Sequence, residues 1–212
     1  MFGSFIDFFI HLDVHLGAVI RQYGAWTYLA LFLIIFCETG LVVTPFLPGD
    51  SLLFAAGTFA AMPNAALDIK SLFLVFCAAA ITGNMANYQI GYFIGPKVFQ
   101  SAKVRIFNRR HLEETHRFYE KWGPVTIVLA RFLPIIRTFA PFLAGVGRMT
   151  YLRFSIYNAA GCLAWVCLFT FGGYFFGNIP AVKKNFSLVI MAIIVISVIP
   201  SAVGFLRAKR KG

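Results

Sequence analysis

The sequence predicts an all-α integral membrane protein. Its expected architecture is an inverted repeat of a re-entrant helical hairpin plus a transmembrane helix. An extra C-terminal transmembrane helix and amphipathic interfacial helices complete it. Three observations carry this expectation. Of 212 residues, 59% are hydrophobic and only 13% are charged, too little charge to cover a soluble domain of this size. Several apolar stretches reach the roughly 20 residues that cross a bilayer core. Two other apolar stretches are interrupted by prolines and carry ionisable side chains, which lipid does not tolerate unless they line a protected interior.

The net charge of +11 does not indicate nucleic-acid binding. The Lys and Arg residues cluster in short connectors and the tail, as the positive-inside rule requires. Cys37, Cys77, Cys162 and Cys167 lie in apolar segments without zinc spacing, so buried free thiols are expected. The N-terminus lacks the pattern of a signal peptide, because its first cation, Arg21, follows the apolar run and Asp7 and Asp13 interrupt it.

The whole chain, 1–212, reads as one membrane domain. Residues 1–22 are broken too often by polar positions to span and suit an interfacial helix. His11 and His15, with Asp7, share a helix face there, but nothing completes a metal-ligand set. Repeat one covers 23–95: a re-entrant hairpin at 25–61, then a span at 71–95. The hairpin is expected to turn at "TPFLPGD", whose Pro45, Pro48 and Gly49 break helix. Residues 96–123 form a basic cytoplasmic connector holding an amphipathic helix, "NRRHLEETHRFYEKWG". Repeat two covers 124–177: a re-entrant hairpin at 124–147, with Pro134, Pro141 and Gly145 as expected tip residues, then a span at 154–177. A final span at 186–206 leads to a basic cytoplasmic tail, 207–212.

Charge decides whether 124–147 crosses. With both broken segments re-entrant, the 96–123 connector, the 148–153 turn and the tail share one side, and Lys and Arg divide 13 to 4. With 124–147 crossing and the first hairpin still re-entrant, they divide 9 to 8. Only the first arrangement obeys the positive-inside rule. Lys183 and Lys184 fit it poorly.

The halves resemble each other. "YGAWTYLALFLIIFCE" from Tyr23 aligns with "WGPVTIVLARFLPIIR" from Trp122, placing Glu38 opposite Arg137. "PFLPG" (45–49) aligns with "PFLAG" (141–145), and "GYFIG" (91–95) with "GYFFG" (173–177). Inverted repeats with broken helices are the architecture of many secondary transporters.

Four ionisable residues lie within the apolar segments: Glu38, Asp50, Arg131 and Arg137. Each costs about 2.5–3.5 kcal/mol at bilayer depth, so such residues line a cavity or face one another. On an unbroken helix Arg131 and Arg137 would diverge, and Pro134 permits them to converge. Two arginines beside the free N–H groups of a restarted helix suit a phosphate or carboxylate. Structural roles compete with this reading. Asp50 can cap the helix that follows, Arg131 can pair with Glu38, and Arg137 can bind carbonyls at a hairpin tip. Two acids and two arginines sum to zero, so protonating Glu38 or Asp50 would make the site cationic. The expectation is proton uptake coupled to binding of a lipid phosphate.

"FCETGLVVTPFLPGDSLLFAAG", "GNMANYQIGYFIG" and "ARFLPIIRTFAPFLAGVGRM" resemble the bacterial DedA family and the related VTT-domain (SNARE-associated Golgi) proteins. The resemblance covers about 23–206. It implies an inner-membrane protein with two facing re-entrant hairpins, linked to movement of undecaprenyl phosphate or phospholipid, to proton-motive force and to envelope homeostasis. The family's essential acids and arginines correspond to Glu38 and Asp50, for proton coupling, and Arg131 and Arg137, for phosphate. The expected function is a proton-motive-force-linked flippase of undecaprenyl phosphate or a related lipid phosphate. The alternatives are a passive phospholipid scramblase and a proton-coupled small-molecule or drug antiporter. No enzyme, cofactor or metal is expected, because the four histidines lie outside the hairpins. The expected partners are membrane lipids and protons, not nucleic acid, and homo-oligomer formation stays open. The expected location is the bacterial inner membrane, multi-pass, with a cytoplasmic C-terminus.

Overall fold

The computed structural model describes residues 22–41, 49–62, 65, 67–100, 122–185, 189 and 192. The described residues form helices and turns, in keeping with the expected all-α membrane class. Helix α1 spans Ala25–Gly40, α2 Gly49–Ala60 and α3 Ile69–Gln100. A 3-10 turn (Gly123–Val125), the short α4 (Thr126–Leu129) and a second 3-10 turn (Ala130–Phe132) precede α5 (Pro134–Val146). Helix α6 (Tyr151–Val166) runs through a π-helical segment (Cys167–Phe171) into α7 (Gly172–Gly177), and α8 covers Pro180–Lys184. Residues 1–21 of the N-terminal segment, residues 101–121 of the basic connector, Pro45, Pro48, nearly all of the final span and the tail lie outside the described residues.

Two helical stretches are long and apolar enough to cross a bilayer, Ile69–Ile94 and Tyr151–Gly177. Leu74, Phe93, Leu152 and Phe175 stand exposed along them, as a lipid-facing surface requires. The first stretch lies close to the expected 71–95, but its helix continues through Pro96 to Gln100. The second starts at Tyr151 rather than 154, its register interrupted by the π segment that periodicity did not foreshadow. The thiols are free as expected and Cys77 and Cys162 are buried, but Cys37 is half-buried and Cys167, at the start of the π segment, is exposed.

Asp68 precedes α3 and caps it. Its Oδ2 accepts from the Ser71 backbone N–H and from the Ser71 hydroxyl, both at 2.8 Å. The backbone bond, then the hydroxyl, holds the Asp68 carboxyl below the ordinary carboxylate range. Because the folded value is the lower one, the cap's contribution is present above the unfolded pKa and fades as pH falls through the folded one. We expect the protection factor of the Ser71 amide, its exchange rate corrected for the intrinsic pH dependence, to fall on acidification in the wild type. In Asp68→Asn, which keeps an acceptor but does not titrate, this loss of protection should vanish.

The chain forms two compact units. The first comprises 1–31, 46–75 and 167–212; the second comprises 32–45 and 76–166. In the first, α2 packs on the π segment and α7. Thr58 donates to the carbonyls of Phe54 (2.9 Å) and Gly173 (3.0 Å), and Phe54 meets Phe176 with ring centroids 5.4 Å apart. Bare glycines permit the approach. A Cβ on Gly57 would strike the Thr170 carbonyl, and one on Gly173 would strike the Phe54 carbonyl.

In the second unit, α5 packs on α3 by the same device. A Cβ on Gly145 would strike the Tyr88 carbonyl and lie 2.7 Å from the Tyr92 nitrogen, and one on Gly91 would strike the Phe142 carbonyl. Tyr88, Ile127, Ala130, Ala140, Ala144 and Phe154 form its core. Helices α1 and α3 meet closely at Gly40, where a Cβ would lie 3.2 Å from the Gly83 carbonyl oxygen.

These contacts give the internal repeat a physical register. Gly24 and Gly123, aligned in sequence, both adopt positive φ at the entry to their helices (+49° and +56°). Gly91 and Gly173, also aligned, play one role in separate units. Gly145, however, corresponds in packing to Gly57, not to Gly49. The matching strings are "FAAG" (54–57) and "FLAG" (142–145), so "PFLPG" against "PFLAG" is the wrong register.

Candidate functional site

The second unit gathers three of the four charged residues from the apolar segments. Glu38 stands in the last turn of α1 and is 1% exposed. Arg131 stands in the 3-10 turn and is 5% exposed. Arg137 follows one turn into α5. The break between the arginines is local chemistry. Leu133 precedes a proline and so is extended (φ −119°, ψ 103°), and α5 starts at Pro134 with no N–H to satisfy. Pro141 and Gly145, expected at a hairpin tip, instead lie within α5, and the break is at Leu133–Pro134. Gly49 is the first residue of α2.

Arg137 forms an ion pair with Glu38 Oε1. The structural alternative that paired Glu38 with Arg131 is thereby corrected. Arg131 turns to neutral partners on α6: it donates to Asn158 Oδ1 at 2.9 Å and contacts Cys162 Sγ at 2.6 Å. Asn158 is itself fixed, donating through Nδ2 to the Ile81 carbonyl at 3.1 Å. Gly161 makes room for this arginine, because a Cβ there would lie 3.2 Å from both Cδ and Nε of Arg131.

Trp165 ties the arginines together. Its indole, 1% exposed, has Arg131 Cζ 5.8 Å and Arg137 Cζ 5.6 Å from the ring centroid. A guanidinium over a buried indole gains a cation–π attraction of up to about 2 kcal/mol. The break at Leu133 and this shared aromatic seat bring both guanidiniums to one place.

Helix α3 supplies the polar floor. Asn87 Nδ2 donates to the carbonyl of Thr39 at 3.2 Å and to that of Thr138 at 2.9 Å, joining the end of α1 to α5. Asn84 touches Asn158 at 2.8 Å; turned so that its oxygen faces Arg131, its NH2 reaches the Thr39 carbonyl at 3.2 Å. Glu38, Thr39, Asn84, Ile127, Arg131, Arg137, Thr138, Pro141 and Trp165 enclose a cavity of about 10 Å³. That is room for about one water.

Asp50 belongs to the first unit. It lies in the first turn of α2, inside the helix rather than at the cap position, where a carboxylate favours the helix dipole. Asn84, Asn87, Asn158, Cys162 and Trp165 were not singled out as site residues by sequence reasoning. The available signal was polar amides inside an otherwise apolar span.

Comparison with known proteins follows from this geometry. The VTT domain family matches residues 47–175. The protein DedA of Escherichia coli (strain K12) is 53% identical over 205 residues, covering 97% of this chain and 94% of the relative. An uncharacterized membrane protein of Mycobacterium tuberculosis (strain H37Rv) is 40% identical over 188 residues, covering 89% and 82%. The inner membrane protein YghB of Escherichia coli (strain K12) is 31% identical over 180 residues, covering 84% and 78%. No solved structure matches the chain.

Proposed function

Because this chain belongs to the DedA family of VTT-domain membrane proteins, we propose that it is an inner-membrane lipid transporter, a proton-motive-force-linked flippase of undecaprenyl phosphate or a related lipid phosphate. The observation that carries this reading is the convergence of two arginines on Trp165, Arg131 buried and Arg137 half-buried, the second held by Glu38. Buried guanidiniums with nearby amide donors recognise a phosphate, and a hydrocarbon tail needs no protein site in lipid.

The broken helices support re-entrant hairpins. Helix α1, at 16 residues, is about 24 Å long, and α2 and α5 are shorter, against a hydrocarbon core of about 30 Å. Paired arms that enter and leave by the same face would satisfy both this length and the charge bias of the connectors. In this reading the chain is multi-pass, with the basic tail in the cytoplasm, and it acts as a carrier rather than an enzyme. The relative named an inner membrane protein supports that location.

The cavity that Glu38 and Arg137 help to line is too small for a phosphate, so the pair must open before a headgroup can enter. Protonating Glu38 removes its hold on Arg137. A proton gradient would thus drive the exchange, with Glu38 as the carrier of the proton and Asp50 as a second candidate.

The test is leaflet exchange of labelled undecaprenyl phosphate in proteoliposomes, with and without a pH gradient. Wild type is expected to respond to the gradient, and Glu38→Gln to lose that response. Gradient-independent movement shared with ordinary phospholipids would make the protein a scramblase. Absence of any lipid movement, with exchange of small drugs for protons, would make it an antiporter.

A further inference from the structure

The turn that closes α5 holds an arginine where helices commonly place glycine. The backbone N–H of Gly147 donates to the Leu143 carbonyl (2.8 Å), that of Arg148 to Gly145 (3.0 Å) and that of Met149 to Ala144 (2.9 Å). This is a Schellman closure, whose left-handed residue is usually glycine because a Cβ crowds that conformation. Here it is Arg148, with φ +53°, the one non-glycine residue of positive φ among those described. Nothing in the turn itself needs an arginine, so the strain points to its side chain.

That side chain lies on an aromatic ring at the end of the apolar helices. Arg148 Cζ stands 5.7 Å from the ring centroid of Tyr92. Among the described residues no carboxylate pairs with it. Tyr92 lies near the end of the spanning stretch Ile69–Ile94, and Tyr151 begins Tyr151–Gly177. The Tyr88 ring joins them, at centroid distances of 6.3 Å to Tyr92 and 5.7 Å to Tyr151, and the Tyr88 hydroxyl donates to the Met149 carbonyl, fixing the turn against α3. Beside these tyrosines in sequence, Phe93 and Leu152 are 68% and 70% exposed.

We propose that Arg148 and Tyr92 form a docking point at the membrane surface for the headgroup phosphate of an anionic phospholipid. The site uses other residues than Arg131 and Arg137 and does not depend on the transport reading. A cation and tyrosines at the ends of spanning helices sit at headgroup level, and the bare apolar side chains next to them match the acyl chains. Tyr92 supports the guanidinium through its ring face, and the N–H edge stays open to bind two phosphate oxygens. A zwitterionic lipid brings its own cation beside the phosphate, which Arg148 repels, so the anionic lipid is preferred.

The test is the melting temperature of the full chain in non-ionic detergent holding equal mole fractions of phosphatidylglycerol or phosphatidylcholine. It is run at about 1 M salt, where a Debye length of about 3 Å screens diffuse attraction. In wild type, phosphatidylglycerol is expected to raise the midpoint by about 2–4 °C more than phosphatidylcholine does. Arg148→Gly is expected to melt at or above wild type in phosphatidylcholine, because the strain is gone, yet to lose at least about half of the phosphatidylglycerol increment. Arg148→Gln, which keeps a non-glycine residue in the turn, should lose the increment without the gain. Arg153, exposed in the first turn of α6, is the control cation, and Arg153→Gln should keep the increment. A purely structural arginine would not move the two readouts of Arg148→Gly in opposite directions. Melting of Arg148→Gly below wild type in phosphatidylcholine would make Arg148 a packing residue and overturn the proposal. So would an increment that survives both Arg148 variants, an equal loss in Arg153→Gln, or a wild type indifferent to the charge of the lipid.

Discussion

Arg137→Ala is expected to abolish gradient-driven lipid movement, with a loss of at least about 100-fold relative to wild type. Removing one partner of a desolvated charge pair costs about 2–5 kcal/mol, most of it from the charge left behind. Here that charge is Glu38, 1% exposed, whose partner is itself only 12% exposed. The variant also loses one of the two guanidiniums seated on Trp165. These two effects separate experimentally. In the double variant Glu38→Gln/Arg137→Ala the stranded carboxylate is gone, so thermal stability should recover towards wild type. Transport should not recover, because the phosphate still lacks its second cation. Arg137→Lys keeps the charge but not the planar fork, and should retain part of the activity at most. The measurement is leaflet exchange in proteoliposomes holding equal amounts of monodisperse protein, beside a melting curve for each variant. Recovery of transport in the double variant would reduce Arg137 to a structural partner of Glu38.

How far the site could be read from sequence follows from what each residue costs. A carboxylate or guanidinium in an apolar segment carries a large penalty, so Glu38, Arg131 and Arg137 stood out. Asn84, Asn158 and Cys162 did not, because neutral side chains are tolerated in a span without a special reason. Trp165 was hidden further, since an aromatic residue is ordinary in such a segment. Which arginine meets Glu38 depended on where the segment 124–147 breaks, and proline content left two places open. Pro134 breaks the helix because Leu133 before it turns extended, whereas Pro141 is accommodated inside α5 at the cost of the bond that would have run to the carbonyl of residue 137. Sequence identity also favoured the wrong register for Gly145. "PFLAG" matches "PFLPG" more closely than "FAAG", but the packing requirement is a bare Cα facing a carbonyl, which Gly57 and Gly145 both meet. The break expected at Pro45 and Pro48 lies outside the described residues.

That packing requirement carries the second large effect. Gly145→Ala is expected to lower the melting temperature in detergent by on the order of 5 °C or more, whereas Gly172→Ala should leave it unchanged or raise it slightly. Alanine is the better helix former by about 0.5–1 kcal/mol, so propensity alone would stabilise both variants. At Gly172 nothing lies within 4 Å of the added methyl, and propensity decides. At Gly145 the methyl would meet the backbone of α3 at Tyr88, Gly91 and Tyr92, and a backbone cannot rotate aside as a side chain can. Helices α3 and α5 must then separate, at the roughly 1–3 kcal/mol or more typical of overpacking, which exceeds the gain. The same separation would pull Asn87 from the Thr138 carbonyl it reaches at 2.9 Å, one turn from Gly91 and beside Arg137. Transport should therefore fall with stability in Gly145→Ala and stay at the wild-type rate in Gly172→Ala. A Gly145→Ala protein that melts at or above the wild-type temperature would mean that α3 and α5 are not held at this spacing, and the seat of Arg137 would need a different support.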